Sequence, residues 1–425
     1  MKRLSRRHFL RGTAGAALAA GVAVPAVASG ARRSETLQVG LVGCGGRGTG
    51  ACLNALQADP HVALTAMADL FPERIESSLA QLRARVPGKV RVTPERRFLG
   101  FDSCQKLIAS GVDVVLLCTP PGFRPQHLAA AVDAGKHSFL EIVAAVDAPG
   151  VRSVLASAEI ARKKGLAIVS GFCWRYNAAL RAAREQIRAG AIGEVRAMYA
   201  TYYRGDLSHK QHEPRPARIG ELEWQLRDWY GHLWLSGDVT ILLSGGHSVD
   251  KMSWWIDDTM PTKAVAVGSR VFATDCNTFD NCFVAYEYAG GVRGFLGCRS
   301  VPGCYSENAD YIIGARGTCT IGRGRVPVIE GPRRWRYEGP PPNMYQAEHD
   351  ELLGSIRAGK PINDGTRMAH TTLMGIMGRM AAYTGQEVSW EQALESRQKL
   401  VPYKLDWSTK ITEPPPAMPG ITKLI

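Results

Sequence analysis

The stretch "LQVGLV" (37–42) is a short apolar run that stops at a glycine turn. The residues behind it, "GCGGRGTGACLNALQ", adopt the three-to-four spacing of a helix. The same change of period recurs along the first half of the chain. "VALTAMAD" closes at Asp69, "GVDVVLLCTPP" leads into "GFRPQHLAAAVDAGKH", and "SFLEIV" and "LAIVSG" follow as further apolar runs. Apolar runs that alternate with helical stretches predict parallel strands buried on both faces. From about residue 190 the pattern changes. "EVRAMYATYYRG", "TKAVAVGSRVF", "DNCFVAYEYAGGVRGFLGCRS" and "ADYIIGARGTCTIG" read as strands with hairpin signals such as Gly290-Gly291. They predict a mostly antiparallel open sheet. "MYQAEHDELLGSIRAG" and "TTLMGIMGRMAAYTG" read as helices, each ending near a glycine. The expected fold class is α/β: an N-terminal doubly wound domain, then a C-terminal α+β domain with a mostly antiparallel open sheet.

The chain does not begin with this rhythm. Residues 1–31 carry a basic head, a small-residue apolar run and a plausible cleavage site at Ala26-Val27-Ala28. Arg6-Arg7 within "SRRHFL" fits a twin-arginine export signal. The alternatives are an ordinary secretory signal with a chance arginine pair, or an uncleaved anchor. Twin-arginine cargo is exported folded, which suits a protein that loads a cofactor first. The expected location is therefore periplasmic, or otherwise outside the cytoplasm. The leader also changes the charge. The chain is +13, and Lys2, Arg3, Arg6, Arg7 and Arg11 account for five, leaving +8 (13 − 5). That remainder is spread out, without a basic run or an aromatic–basic repeat, so nucleic acid is not an expected partner. It reads as a soluble surface that can attract anionic substrates. No stretch after the leader is long and apolar enough to span a membrane, so no stable span is expected after cleavage. About 395 mature residues predict two domains, taken as 34–160 and 161–425. There are ten cysteines and no C-x-x-C pair. Cys276/Cys282 and Cys298/Cys304 are open to a disulfide or to buried free thiols.

The glycine turn is Gly43-x-Gly45-x-x-Gly48, between a strand and a helix. Gly43 allows the tight turn, Gly45 lets backbone approach a pyrophosphate, and Gly48 lets the helix pack closely. The helix start then offers free N–H groups and a positive dipole end to phosphates. Gly43, Cys44, Gly45, Gly46, Arg47 and Gly48 are the expected phosphate-side residues of a Rossmann domain. Asp69 lies 21 residues after Gly48, where an acid takes ribose hydroxyls and repels a 2′-phosphate. NAD is therefore expected over NADP. In a doubly wound sheet the ligand sits at the carboxyl ends of the strands. That places Thr119, Pro120 and His127 near the nicotinamide half, although His127 would equally cap its own loop. "CWRYN" (173–177) follows the last strand, bringing Trp174, Arg175 and Tyr176 toward a substrate. Tyr176 is a candidate general acid if a cation lowers its pKa; the other reading is an Arg-Tyr packing pair at a hinge. Residues 205–238 are dense in Trp, Arg and His. Aromatic faces and polar edges suit sugar rings, making Arg227 and Trp229 candidate substrate residues beside a plain packing role. His209, His212 and Glu213 do not have a recognised ligand spacing, so no metal is expected.

These pieces together resemble the glucose–fructose oxidoreductase / inositol dehydrogenase / MocA family. The resemblance is carried by "VGLVGCGGRG", "CTPPGFRPQHLAAAVDAGKHSFLE", "VSGFCWRYNAALRAAREQIRAGAIGEVRAMYATY", "LSGD…GGHSVDKMSWWI" and "MYQAEHDELLGSIRAGKPI", spread over about 36 to 390. It is nearest to an exported branch. The resemblance implies oligomer contacts through the second sheet, hence a homo-oligomer. It also implies Glu-Lys-Pro beside the nicotinamide, with the lysine on a substrate hydroxyl. Here Glu141 is kept, but Ile142 and Val143 replace Lys and Pro. The family's second catalytic stretch has an acid four residues before a histidine. His247 is present and Leu243 stands at the acid's place. His247 is expected to open a helix after Gly245-Gly246, where the dipole favours its neutral, basic form. Lys251, one turn on, shares its face or pairs at the surface with Asp250 or Asp257.

Two functions follow. One is an exported NAD(P)-binding enzyme acting on a sugar, glycoside or polyol. It would keep NAD bound and run a redox-neutral oxidation–elimination or hydride-shuttle cycle. The other is a catalytically degenerate NAD-binding protein with a binding or assembly role. Convergence of His247, Arg175 and Tyr176 beside the nicotinamide favours the enzyme, and scattered side chains favour the second.

Overall fold

The computed structural model describes residues 35–205, 215–272, 276–322, 325–402 and 404–424. The segment expected to be a leader (1–31) and the His209, His212 and Glu213 set lie outside the described residues.

The first sheet is built from β1 (Leu37–Val42), β2 (Val62–Asp69), β3 (Arg97–Leu99), β4 (Val114–Leu117), β5 (His137–Leu140) and β6 (Ile168–Ser170), in the order β3-β2-β1-β4-β5-β6. All its pairings are parallel. Its central strands are apolar because both faces are covered. On one side lie α1 (Gly46–Ala58) and α2 (Pro72–Arg85), joined late in the chain by α10 (Met344–Arg357). On the other lie α3 (Ser103–Ala109), α4 (Arg124–Asp133) and α5 (Ala148–Lys164). The sheet takes in Ser170, so its last strand lies beyond residue 160. Asp147 caps α5 by accepting from the Gly150 amide at 2.8 Å, and Gly165 ends it with φ 65°.

After α6 (Ala178–Arg188) the second sheet begins with β7 (Val195–Arg204). Then come α7 (Glu221–Arg227), α8 (Leu233–Ser236), α9 (Gly245–Trp255) and strands β8 (Lys263–Ser269), β9 (Asn281–Glu287), β10 (Arg293–Ser300), β11 (Glu307–Gly314), β12 (Thr318–Gly322), β13 (Val328–Glu330) and β14 (Trp335–Arg336). α11 (Gly365–Thr384) and β15 (Val388–Ser389) close it. The strand order is β14-β13-β12-β11-β7-β10-β9-β8-β15. Every pairing is antiparallel except β7 with β10. The expectation of a Rossmann-like parallel sheet plus a mostly antiparallel one is met. One continuous apolar cluster runs from α4 and α5 through Phe172, Ile241 and Met252 to Leu296 and Met374. α11 lies against the inner face of the second sheet, with Gly378 seated on Val284 and Tyr286.

One local expectation needs correction. His247 does not open the helix: residues 239–244 already wind as a π-helix running straight into α9. Gly245-Gly246 is thus the helix's first turn, and His247 is its third residue. The cause is Asp238, whose side chain accepts from the Thr240 and Ile241 amides at 2.8 and 2.9 Å and starts the winding early. All ten cysteines are free thiols; Cys282 and Cys298 sit opposite each other on β9 and β10 without a bond. Among the described residues no helix is long and apolar enough to cross a membrane.

Candidate active site

A groove runs along the carboxyl ends of β1, β2 and β4. Gly43, Gly45, Gly46, Arg47, Gly48, Asp69, Thr119, Pro120 and His127 all line it. Gly43 sits at φ +91°, and a Cβ there would lie 2.7 Å from the Cys118 carbonyl carbon. A Cβ on Gly48 would lie 1.9 Å from the Gly43 oxygen. Both positions therefore require glycine. A Cβ on Gly45 or Gly46 would meet nothing within 4 Å, and no side chain caps α1. Open space above uncapped N–H groups at a helix start fits a dinucleotide's pyrophosphate. Asp69 closes the far end of the turn. Its Oδ2 accepts from the Cys44 amide at 2.7 Å and its Oδ1 from the Phe71 amide at 3.0 Å. Burial raises its pKa against these hydrogen bonds. Cys44 takes part through its backbone alone, since its thiol turns to the Ala68 carbonyl at 3.5 Å.

Thr119 Oγ1 lies 3.2 Å from His127 Nδ1, and the ring stacks on Phe123 at 5.9 Å. Burial, helped by Arg124, pushes His127 down to about 4, so it is neutral at pH 7. His127 thus holds its own loop and lines the groove at once. The sequence reasoning missed Phe71, Arg74, Phe101 and Tyr230, which also line it. They come from loops that carry no motif; only the aromatic density of 205–238 pointed toward one of them.

Glu141 lies off the groove, beneath Gly171, and acts through Arg47. Its Oε1 accepts from Arg47 Nε at 2.5 Å. Arg47 Nη2 is also 3.8 Å from the buried Glu348, and its guanidinium lies over the Tyr345 ring at 4.8 Å. Burial works against the Arg47 charge, but Glu141 outweighs it and raises the pKa. Ile142 and Val143 are buried, and the peptide between them is cis. The Val143 carbonyl accepts from Arg124 Nη1 at 2.6 Å.

The second domain meets this strand end through α9. A Cβ on Gly246 would face Val143 Cγ1 at 3.3 Å. The next residue, His247, sets its ring edge-on to Phe172 at 6.1 Å. Its Nδ1 is buried without a hydrogen-bond partner. Burial and the nearby Lys251 charge depress it to about 4, leaving a neutral ring with a free nitrogen. Leu243, in the preceding turn, supplies no carboxylate.

Four expected site residues are placed elsewhere. Lys251 is neither a surface lysine nor free to reach a substrate: it is buried, ion-paired with Asp310, and over the Trp174 ring at 4.7 Å. Trp174 is thereby engaged in packing. Tyr176 donates to Asp364 Oδ2 at 2.7 Å, and burial together with that carboxylate raises its pKa well above the usual value. The expected cation-lowered acid is not there. Arg175 has its fork filled by Asp250 at 2.7 Å and Asp258 at 2.6 Å. Arg175 and Tyr176 line a separate depression with Arg181, Asp364 and Arg367, sharing no residue with the groove. His247, Arg175 and Tyr176 therefore do not converge. Arg227 braces the groove wall, lying over Phe71 at 3.9 Å and paired with Glu73 and Glu223 at 2.6 and 2.8 Å. Trp229 does line the groove. Among the described residues no cluster of three or more His, Cys, Asp or Glu side chains is arranged to hold a metal.

A parallel sheet with a dinucleotide-type groove, backed by an open antiparallel sheet, defines an oxidoreductase-like class, and the comparisons agree. Residues 180–320 match the GFO/IDH/MocA C-terminal domain. The inositol 2-dehydrogenase of Rubrobacter xylanophilus is 25% identical over 303 residues, 70% of this chain and 73% of that protein. The dTDP-3,4-didehydro-2,6-dideoxy-alpha-D-glucose 3-reductase of Streptomyces violaceoruber is 29% identical over 168 residues, 40% of this chain and only 44% of that protein. Among solved structures, an inositol dehydrogenase homolog from Azotobacter vinelandii, complexed with NAD+, superposes with a TM-score of 0.68 at 17% identity, covering 85% of this chain and 99% of its own. The WlbA dehydrogenase from Bordetella pertussis, in complex with NADH and UDP-GlcNAcA, gives 0.64 at 18% identity, covering 84% and 99%. Together the matches make the chain similar to oxidoreductases of the Gfo/Idh/MocA type.

Proposed function

We propose that this chain is an NAD-dependent oxidoreductase acting on a sugar, polyol or related glycoside. The observation that carries this is the groove: a glycine turn open above Gly45 and Gly46, closed at one end by Asp69. Relatives matched over about two thirds of the chain are named as inositol 2-dehydrogenases, and the neighbour from Azotobacter is complexed with NAD+. Bound NAD would accept a hydride from a substrate carbon. The chain's own residues would do the rest. The first turn of α1 would hold the pyrophosphate, Asp69 the ribose hydroxyls, and Trp229 a sugar face. The hydroxyl proton needs an acceptor, and Ile142 cannot serve. His247 is the candidate base, because its ring is neutral at pH 7 with a free nitrogen beside the Val143 strand end. We place the protein outside the cytoplasm on the strength of Arg6-Arg7, with NAD resident and regenerated within one substrate cycle. The exposed Val265, Val267 and Phe283 on the second sheet's outer face support contact between copies.

A second reading has its own support. Arg175, Tyr176 and Lys251 are all locked in internal pairs, which favours a degenerate NAD-binding protein. One measurement separates the two readings. Purified protein is denatured and released NAD(H) is counted by mass spectrometry, then His247→Ala is assayed on a glycoside panel. The enzyme reading expects near one NAD(H) per chain and loss of turnover, by ~100-fold or more, with NAD retained. Full activity in His247→Ala would remove the base assignment. Near one NAD(H) per chain with no turnover of any glycoside by wild type would leave only the second reading, and no NAD(H), with none bound on addition, would remove both.

A further inference from the structure

Arg124 opens α4 and is 3% exposed. It makes one hydrogen bond among the described residues, from Nη1 to the Val143 carbonyl. Its Nε is buried with no partner, and no carboxylate lies within ion-pair distance among the described residues. A guanidinium has five donors in a rigid fork, and a buried charge is stable only where partners complete it. Buried arginines elsewhere differ in how far they are completed, and Arg379 also leaves its Nη2 buried without a partner. Arg175 holds two aspartates, and Arg379 binds the Val146 and Gly237 carbonyls. Burial pulls Arg124 down to about 10, and Glu141, its nearest acid neighbour, is already taken by Arg47.

The surroundings of this unfilled fork say what it awaits. Its charge acts on His127 and Tyr230, and both line the cofactor groove. Tyr230 makes no hydrogen bond through its hydroxyl among the described residues and stands on the Trp229 ring at 4.2 Å. Arg204 adds a second positive charge near that hydroxyl. The Arg124 backbone is firmly seated. Two residues earlier, Gly122 lies so close to α8 that a Cβ would be 2.4 Å from the Trp234 carbonyl oxygen. Burial, fixed backbone, an open fork and a free phenol beside the groove together form an anion-binding corner.

We propose that Arg124 and Tyr230 bind the carboxylate of the substrate, so that the preferred substrate is a sugar acid rather than a neutral sugar. This rests on the oxidoreductase reading above and names the substrate class of the same groove. A planar carboxylate matches the guanidinium fork in two parallel bonds, while the phenol donates to one of the same oxygens. Val143, in holding Nη1, orients the fork. Ile142, on the same strand end, adds no competing cation beside Arg124.

The test is binding to the full chain with NAD present, read by calorimetry, using D-glucuronate and D-gluconate against D-glucose. Wild type should bind the acids at least ~10-fold more tightly than glucose. Arg124→Gln should abolish that preference, a loss of ~10- to 100-fold for the acids alone, as expected for hydrogen bonds to a charged group. Arg124→Lys should keep part of it, and Tyr230→Phe should weaken it while leaving the cation and the fold in place. In the two Arg124 variants glucose and NAD affinities should not move. Equal binding of gluconate, glucuronate and glucose by wild type overturns the proposal and leaves the NAD reading standing. A fall in NAD affinity in Arg124→Gln, without a selective loss for the acids, reassigns Arg124 to the cofactor and also overturns it. If wild type binds no NAD, the cofactor reading fails. The same comparison on the chain alone then decides the carboxylate site separately.

Discussion

Asp69 shows how one side chain serves structure and selectivity together. Both its oxygens already accept backbone amides, from Cys44 and Phe71, so the carboxylate pins the glycine turn it helps to fill. Each oxygen keeps a second lone pair for ribose hydroxyls. Arg74 lines the same groove close enough for its charge to stabilise that carboxylate. With Asp69 in place, a 2′-phosphate meets a fixed negative charge. With Asp69→Ala, the repulsion disappears and Arg74 remains. NAD affinity is then expected to fall ~10-fold, and NADP affinity to rise by a similar factor, in parallel titrations of protein fluorescence. If NADP binding stays absent, Arg74 does not face the ribose. The neighbouring Lys251 teaches the opposite lesson. Its spacing from His247 is a helical turn, so the sequence offers it as a site residue, but its partner Asp310 is 59 positions away on β11. Local spacing places residues on a helix face and says nothing about what that face meets. The same holds for Arg227, whose carboxylate at Glu73 lies 154 positions earlier. Motif residues whose geometry is made by the adjoining backbone, Gly43 to Gly48 above all, are legible; those defined by long-range pairing are not.

At the level of elements, the parallel strands declare themselves because burial on both faces removes every polar alternation. β1 and β4 are apolar from end to end apart from Gln38 and a glycine. The parallel pairing of β7 with β10 has no such signature, since it depends on the order in which distant strands meet. The π-helical lead into α9 was hidden too, because Asp238 caps it from a φ of 103° that the sequence does not reveal. α10 carries an element-scale consequence. It places Glu348 and His349 side by side against the first sheet, both fully buried and, among the described residues, with no hydrogen bond to either side chain. Burial lowers His349 to about 3 and raises Glu348 well above the carboxylate range. The signs oppose. A histidine depressed in the fold loses stability as pH falls below its unfolded value of about 6.5, whereas a raised glutamate loses stability as pH rises above about 4.5. Comparing variants separates them. His349→Leu removes the acid-side loss, which amounts to about 2 kcal/mol at pH 5 by linkage. Its ring packs on Phe139 at 4.4 Å, so an apolar replacement keeps the contact. Relative to wild type, this variant should gain denaturation midpoint steadily from pH 7 to pH 5. Parallel pH profiles would show that the ring is already charged or paired.

The whole molecule folds back on its own cofactor groove. The chain leaves the second sheet at β15 and returns to the first domain, where Leu400, Leu405 and Ile411 pack with Phe71, Leu222 and Leu226. Trp407 then stands against Phe101 at 5.1 Å and Phe71 at 6.2 Å, two residues that line the groove at the Asp69 end. α7 closes from the other side, with Arg227 over the same Phe71 ring and paired to Glu73. Three segments far apart in sequence thus converge on one rim of the groove. On the proposed reading that NAD stays resident, this rim would slow its exit rather than tighten contacts along the whole groove. Trp407 is half exposed, so its removal should leave the fold intact while loosening the rim. An aromatic pair of this kind is worth about 0.5–1.5 kcal/mol, which converts to a ~2- to 12-fold faster release of NAD in Trp407→Ala. Protein loaded with NAD, diluted, and sampled over time for retained cofactor gives the rate directly. An unchanged rate with an unchanged melting temperature would mean that the returning tail serves only to seal the apolar side of Phe71, and that retention is set at the glycine turn instead.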